Sequence, residues 1–207
     1  MKLKLLFLSI LGLSFCLAMS PEAGLEVKKL PVESRNSLLE LYRSPYFNKL
    51  NYANLIKLLK MNFTKDELNE KLQQIYQRKF DLFVERLAKM LLDAGANINA
   101  VNASNFTPLM NAVVNGNYDF AKFLIKNGAN VNANNGIQSA LTLLIRVPGE
   151  HVEKLLNLLL DNGADLTMKI QNQTPLELAK SLGRTRLANI IEKKIKEQML
   201  NILSTRK

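Results

Sequence analysis

The chain has 207 residues, of which 47% are apolar and 22% charged, and a formal net charge of +10. That length and apolar content support a packed core and exclude a disordered chain. A single cysteine, Cys16, and a single histidine, His151, exclude a disulfide framework and a Cys/His metal cluster.

Residues 1–20, MKLKLLFLSILGLSFCLAMS, place two lysines ahead of an apolar run from Leu5 to Leu17, with small residues near Ala18 to Ser20. This is the layout of a secretory signal peptide. The apolar run, about 15 residues, falls short of the roughly 20 that span a bilayer, which weighs against a retained anchor. Cys16 is a candidate lipoprotein acceptor with Leu13 upstream, but bulky Phe15 stands where that pattern wants a small residue, so this reading is the lesser one. Pro21 hinders a cut after Ser20 and favours one after Ala18. The expected product is exported, to a bacterial periplasm or beyond, and lacks cysteine, so its stability must come from packed helices.

Residues 21–63 read as a linker and then a helical extension. The spacing predicts one helix from Ser34 through Leu38, Leu39, Leu41 and Tyr42 to a stop at Pro45, and another over Asn54 to Lys60. This extension either caps the helices C-terminal to it or binds separately. Thr64 and Glu67 then have capping-box spacing, in which each side chain satisfies a backbone donor of the other. Leu68, Leu72, Ile75 and Tyr76 mark one apolar face, and Phe80, Phe83, Val84, Leu87, Ala88 and Leu91 another. Either a turn near Arg78 to Asp81 separates two helices or one long helix runs through.

From residue 91 a cassette recurs. LLDAGANINA (91–100), LIKNGANVNA (124–133) and LLDNGADLTM (159–168) align Gly95, Gly128 and Gly163 at spacings of 33 and 35. A helix-start motif keeps step: Thr107, Ser139 and Thr174 open TPLMNA, SALTLL and TPLELA at spacings of 32 and 35. Thr107 with Pro108 after it is a helix start, because the hydroxyl accepts a free first-turn N–H and proline there loses no hydrogen bond. Gly116 and Asn117 predict a turn, and Phe120, Ala121, Phe123, Leu124 and Ile125 a second helix ending at Asn127 and Gly128.

A period near 33 residues, a T-P-L-x-x-A start and a G-A-x-(V/I/L) exit resemble the ankyrin repeat over residues 80–195. The resemblance implies an all-α ankyrin-repeat solenoid of about four repeats, near 64–101, 102–134, 135–169 and 170–207. The first is degenerate and the last a cap. Asn105 stands where the family usually has Gly, and tolerates a left-handed backbone better than other side chains. Met110 replaces the family's His, removing its bond to Thr107 while filling the space. The next repeat has Ser139 and Ala140 for Thr-Pro, Thr142 for His, and about two extra residues at Val147 to His151, where Pro148 and Gly149 force a stop. Thr174 and Glu177 form another capping box. The final helix runs on through Leu187, Ile190, Ile191, Ile195, Met199, Ile202 and Leu203, and its excess from Gln198 either folds back or presents an apolar stripe.

The resemblance implies a non-catalytic module that binds a protein partner through hairpin tips and the concave face. Carried onto this chain, the outward positions are Ala103, Ser104, Phe106, Val114, Asn115, Ile137, Gln138, Arg146, Gln171, Gln173 and Ser181. Phe106 is the expected anchor, unless it packs on the neighbouring hairpin. No nucleophile elbow, phosphate-cradling glycine loop or ligand cluster occurs, so no catalysis, cofactor or metal is expected. His151 is expected to face solvent at a helix start. Lysines and arginines are scattered, apart from Arg184 to Lys196 and the C-terminus, which argues against nucleic acid. A monomer is expected. The other readings are a secreted effector bound to a host protein, and a structural protein resting its basic C-terminal helix on a membrane.

Overall fold

The computed structural model describes residues 49–75 and 81–204. The expected signal peptide and linker, the helix expected over 34–45, and the expected turn near Arg78 with Tyr76 and Phe80 lie outside them. The described helices are α1 (Lys49–Asn62), α2 (Lys65–Ile75), α3 (Leu82–Ala94), α4 (Pro108–Val114), α5 (Tyr118–Lys126), α6 (Ala140–Arg146), α7 (Val152–Asp161), α8 (Pro175–Ser181) and α9 (Thr185–Ser204). Among the described residues there is no strand, only two isolated antiparallel bridges, Asn134 with Ser139 and Ile170 with Gln173. The fold class is all-α. Contacts divide the chain into two compact units, and the boundary comes after Asn97.

In the first unit α1 and α2 both pack on α3. Their apolar faces meet through Leu55, Leu58 and Leu59, Leu68 and Leu72, and Val84, Leu87 and Leu91, all buried. Thr64 and Glu67 form the expected capping box: the Thr64 N–H donates to Glu67 Oε2 at 2.7 Å and the Glu67 N–H to Thr64 Oγ1 at 3.2 Å. One continuous helix through residue 81 is ruled out, because Asp81 is extended (φ −138) and caps α3 by accepting from the Val84 N–H at 2.8 Å. α1 is longer than the Asn54 to Lys60 segment expected, and Tyr52 in its first turn explains why it is anchored. The Tyr52 hydroxyl donates to Asp93 Oδ2 at 2.7 Å while Lys89 donates to Oδ1, also at 2.7 Å. Burial pushes the Asp93 carboxyl up, but the bonds from Lys89 and Tyr52 and the charges of Lys89 and Lys60 outweigh it and hold it below the ordinary carboxylate value.

The second unit is built from three helix pairs, α4 with α5, α6 with α7, and α8 with α9. The first helices pack in a row, α4 on α6 on α8, and the second helices pack likewise, α5 on α7 on α9. Each pair buries one face against the next, so Leu109, Phe120, Leu124, Leu144, Leu156 and Ile191 form one continuous core. Caps repeat with the period. Thr107, Ser139 and Thr174 each accept from the backbone N–H three residues on. The three cassette glycines end their helices alike: Gly95, Gly128 and Gly163 take positive φ, and the N–H of the next alanine returns to the fifth residue back, Ala96 to Leu91, Ala129 to Leu124 and Ala164 to Leu159.

Met110 does more than fill the histidine's space. Its sulfur accepts from the Thr107 N–H at 3.5 Å, so a buried donor that the replacement would otherwise strand keeps a partner. In the adjacent repeat the Thr142 hydroxyl does the same for the Ser139 N–H at 2.8 Å.

Candidate functional site

The tips preceding the three first helices differ in length and are built differently. In the first, Asn102 Oδ1 accepts from the N–H groups of Ser104 and Phe106, and Asn105 adopts φ 58, the left-handed backbone expected of it. In the second, Asn135 plays the same part for Ile137 and Gln138. The third is a two-residue turn in which Gln171 (φ 53) and Asn172 (φ 61) are both left-handed, closed by two bonds between Ile170 and Gln173.

The repeat period sorts the expected binding residues into rows. Phe106, Gln138 and Gln173 each immediately precede a capping residue, and all three are half-buried. For Phe106 this places the ring between the two alternatives, partly packed and partly presented. Val114, Arg146 and Ser181 each close a first helix, and all are exposed. Ala103, Ser104, Asn115, Ile137 and Gln171 are exposed as well. One bond connects these positions between neighbouring repeats, Arg146 Nη2 donating to Gln171 Oε1 at 3.1 Å, and a second joins the flanking tip residues, Asn135 Nδ2 reaching the Asn105 carbonyl at 3.4 Å. The row of helix ends and the row of tips therefore adjoin. Apolar surface lies among them, with Ile137 56% and Val114 37% exposed.

Reading the sequence missed Leu182 and Val101, both exposed. Leu182 was findable, since it comes after Ser181 as Asn115 comes after Val114. Also missed was an asparagine ladder behind the tips. Asn99 Oδ1 accepts the Asn130 N–H at 2.8 Å, Asn132 Oδ1 accepts the Asp165 N–H at 2.8 Å, and Asn132 Nδ2 donates to the Gly163 carbonyl at 2.9 Å. Within the first unit Asn69 accepts from the Asn97 N–H in the same manner, at 2.7 Å. These bonds set the register of successive loops, and the signal was the recurring N-x-N of GANINA and GANVNA. The Asp165 carboxyl that ends the ladder is held below its ordinary value by the Thr167 hydroxyl and then by the Thr167 and Met168 N–H groups.

The insertion at Val147 to His151 is closed by a residue from the next repeat. Elsewhere the turn between paired helices returns an N–H to the first helix, Asn117 to Ala112 and Arg184 to Ala179, around Gly116 and Gly183. Pro148 has no N–H and forces Val147 to an extended backbone (ψ 140), so this closure is lost after α6. The Arg184 guanidinium supplies it instead, donating to the carbonyls of Ile145 and Val147. A shallow groove of about 300 Å³ lies beside it, lined by residues including Val152, Glu153, Arg184 and Arg186. His151 opens α7, exposed and without a side-chain capping bond.

Among the described residues no group of three or more His, Cys, Asp or Glu side chains could hold a metal ion. No described helix is long and apolar enough to cross a membrane. A family model described as ankyrin repeats (3 copies) matches residues 51–135. That segment takes in α1, which the sequence alone assigns to the extension, and stops before the repeats that carry α6 to α9. No curated protein matches the chain. The ankyrin repeat is a general, non-catalytic protein interaction module. The sequence period, the paired helices and the family match agree, and residues 51–135 are similar to ankyrin repeats.

Proposed function

We propose that the chain is an exported, non-catalytic binding module that holds a protein partner against the tips and helix ends of its second unit. The observation that carries the reading is the adjoining of the two rows. Positions that the scaffold leaves exposed, Val114, Ile137 and Arg146 among them, recur at fixed places in the period and include apolar side chains left in water. Large apolar groups on a polar-rimmed face are the material of interaction hot spots. Phe106 and Gln138 border this surface, and the insertion at Val147 to His151 lies in the next inter-helix turn. The signal-like residues 1–20 support a bacterial envelope or extracellular location, and the partner is sought there.

The test is affinity capture from an envelope fraction, comparing the chain with a Val114→Arg/Ile137→Glu variant. Both side chains are exposed, so the thermal melt is expected to stay within about 2 °C, as for surface substitutions away from packed features. Loss of the captured protein from the variant is expected. Unchanged capture would overturn this placement of the surface.

A further inference from the structure

We propose that the last two turns of α9 form a second, separate docking element for the headgroup layer of an anionic phospholipid membrane. α9 is fixed to the second unit through Leu187, Ala188 and Ile191, which are buried. From Lys196 to Ser204 every residue is exposed, so the excess length does not fold back. Met199, Leu200, Ile202 and Leu203 are 53–65% exposed. At about 100° per residue, Ile195, Met199, Ile202 and Leu203 share one face and Leu200 borders it, while Asn201, Glu197 and Ser204 lie opposite.

The charges decide what fits this face. Residues 198–205, QMLNILST, carry none, and cations stand on both sides: Lys193, Lys194 and Lys196 before, Arg206 and Lys207 after. Glu197 is the one acid in the stretch from Lys193 on, and it lies 4.0 Å from Lys193. Lys194 is engaged by Asp161 at 2.6 Å, whereas Lys193 borders the apolar arc beside Leu200 and Lys196 stands at its N-terminal end, in line with Leu200 and Leu203. An apolar arc with lysines at its margins is suited to lie in an interface, the apolar side chains entering the acyl boundary and the lysine stems reaching back to lipid phosphates. A second copy of α9 fits poorly. The exposed apolar area is on the order of 400 Å², half of the roughly 800 Å² that each partner of a stable complex buries, and antiparallel pairing would set cations against cations.

The experiment reads the helix locally in the full chain. With Cys16→Ser as background, single cysteines at 199, 203 and 201 are labelled with an environment-sensitive fluorophore and mixed with vesicles. Vesicles of equal parts phosphatidylglycerol and phosphatidylcholine are compared with phosphatidylcholine alone. Emission is expected to rise by about twofold or more at 199 and 203 and to stay nearly flat at 201, with the rise reduced on phosphatidylcholine and at high salt. In a labelled-203 chain carrying Met199→Asp and Leu200→Asp the rise should disappear while the thermal melt is kept. Equal response at all three positions, no response, or a response that depends on protein concentration without lipid would overturn the proposal, the last in favour of self-association.

Discussion

Arg184 shows how one side chain offsets a local defect written elsewhere in the sequence. Pro148 removes a backbone donor, and the carbonyls left at the end of α6 are taken up by a guanidinium whose two donating nitrogens reach Ile145 and Val147 together. Replacing it by alanine strands both carbonyls, and a destabilisation of about 2 kcal/mol is expected, the range for hydrogen bonds to charged groups. Arg184→Lys should recover little of it, because an ammonium lacks the planar fork; urea melts of the two variants check this. Asp165 provides a pH test. Its folded value is depressed, so its contribution is present above the ordinary carboxylate value near pH 4 and is lost as pH falls through the folded value. The urea midpoint should drop on acidification from pH 6 to pH 3, and drop less in Asp165→Asn.

At the scale of elements, the period carries most of the information. Thr107, Thr174 and the cassette glycines have their conformations dictated locally, by a side-chain acceptor at a helix start and by a backbone that only glycine adopts without cost, so α4, α5 and α8 were legible from motif alone. Asn105 was legible for the same reason. Asn105→Val sets a β-branched residue at φ 58 and should cost about 1–2 kcal/mol, with Asn105→Gly near neutral in the same melts. What the sequence hid were pairings across the period: Tyr52 with Asp93, Arg184 with the α6 carbonyls, and Asn132 with Gly163 and Asp165. Each joins residues 31 or more apart, and no local spacing announces a partner at that distance. The break between α2 and α3 was legible only as one of two alternatives. Asp81 decides it through its own cap, a three-residue bond that a reader intent on the apolar faces passes over. The proposed face was legible only as a set of outward positions, because buried positions keep to the period and the remainder point outward. The adjoining of the two rows through Arg146 and Gln171 was not.

For the molecule, the consequence of stacked pairs is that the second unit stands or falls on few interfaces. Each helix pair covers the apolar face of its neighbour, and no disulfide is available. Ala121 is fully buried in α5. Ala121→Asp would place an unpaired carboxylate in that core at a cost of several kcal/mol, a large fraction of a domain's stability. We expect loss of the helical circular dichroism of α4 to α9 together. A melt in which that signal survives at the original temperature would contradict a shared core. Scaffold and surface thus separate by position in the period: Ala121 is buried in the array, while Val114, Ile137 and Arg146 are left exposed on the proposed surface.

The most direct test of that division is photo-crosslinking from single sites. A benzophenone side chain is placed at Ile137 or Arg146 on the proposed surface, and at Lys122 or Asn157 on exposed positions of the second helices. Exposed to an envelope fraction and irradiated, the first two positions are expected to yield a common adduct and the latter two none. Adducts from Lys122 and Asn157 with none from Ile137 or Arg146 would contradict the assignment of the tips and helix ends as the binding face.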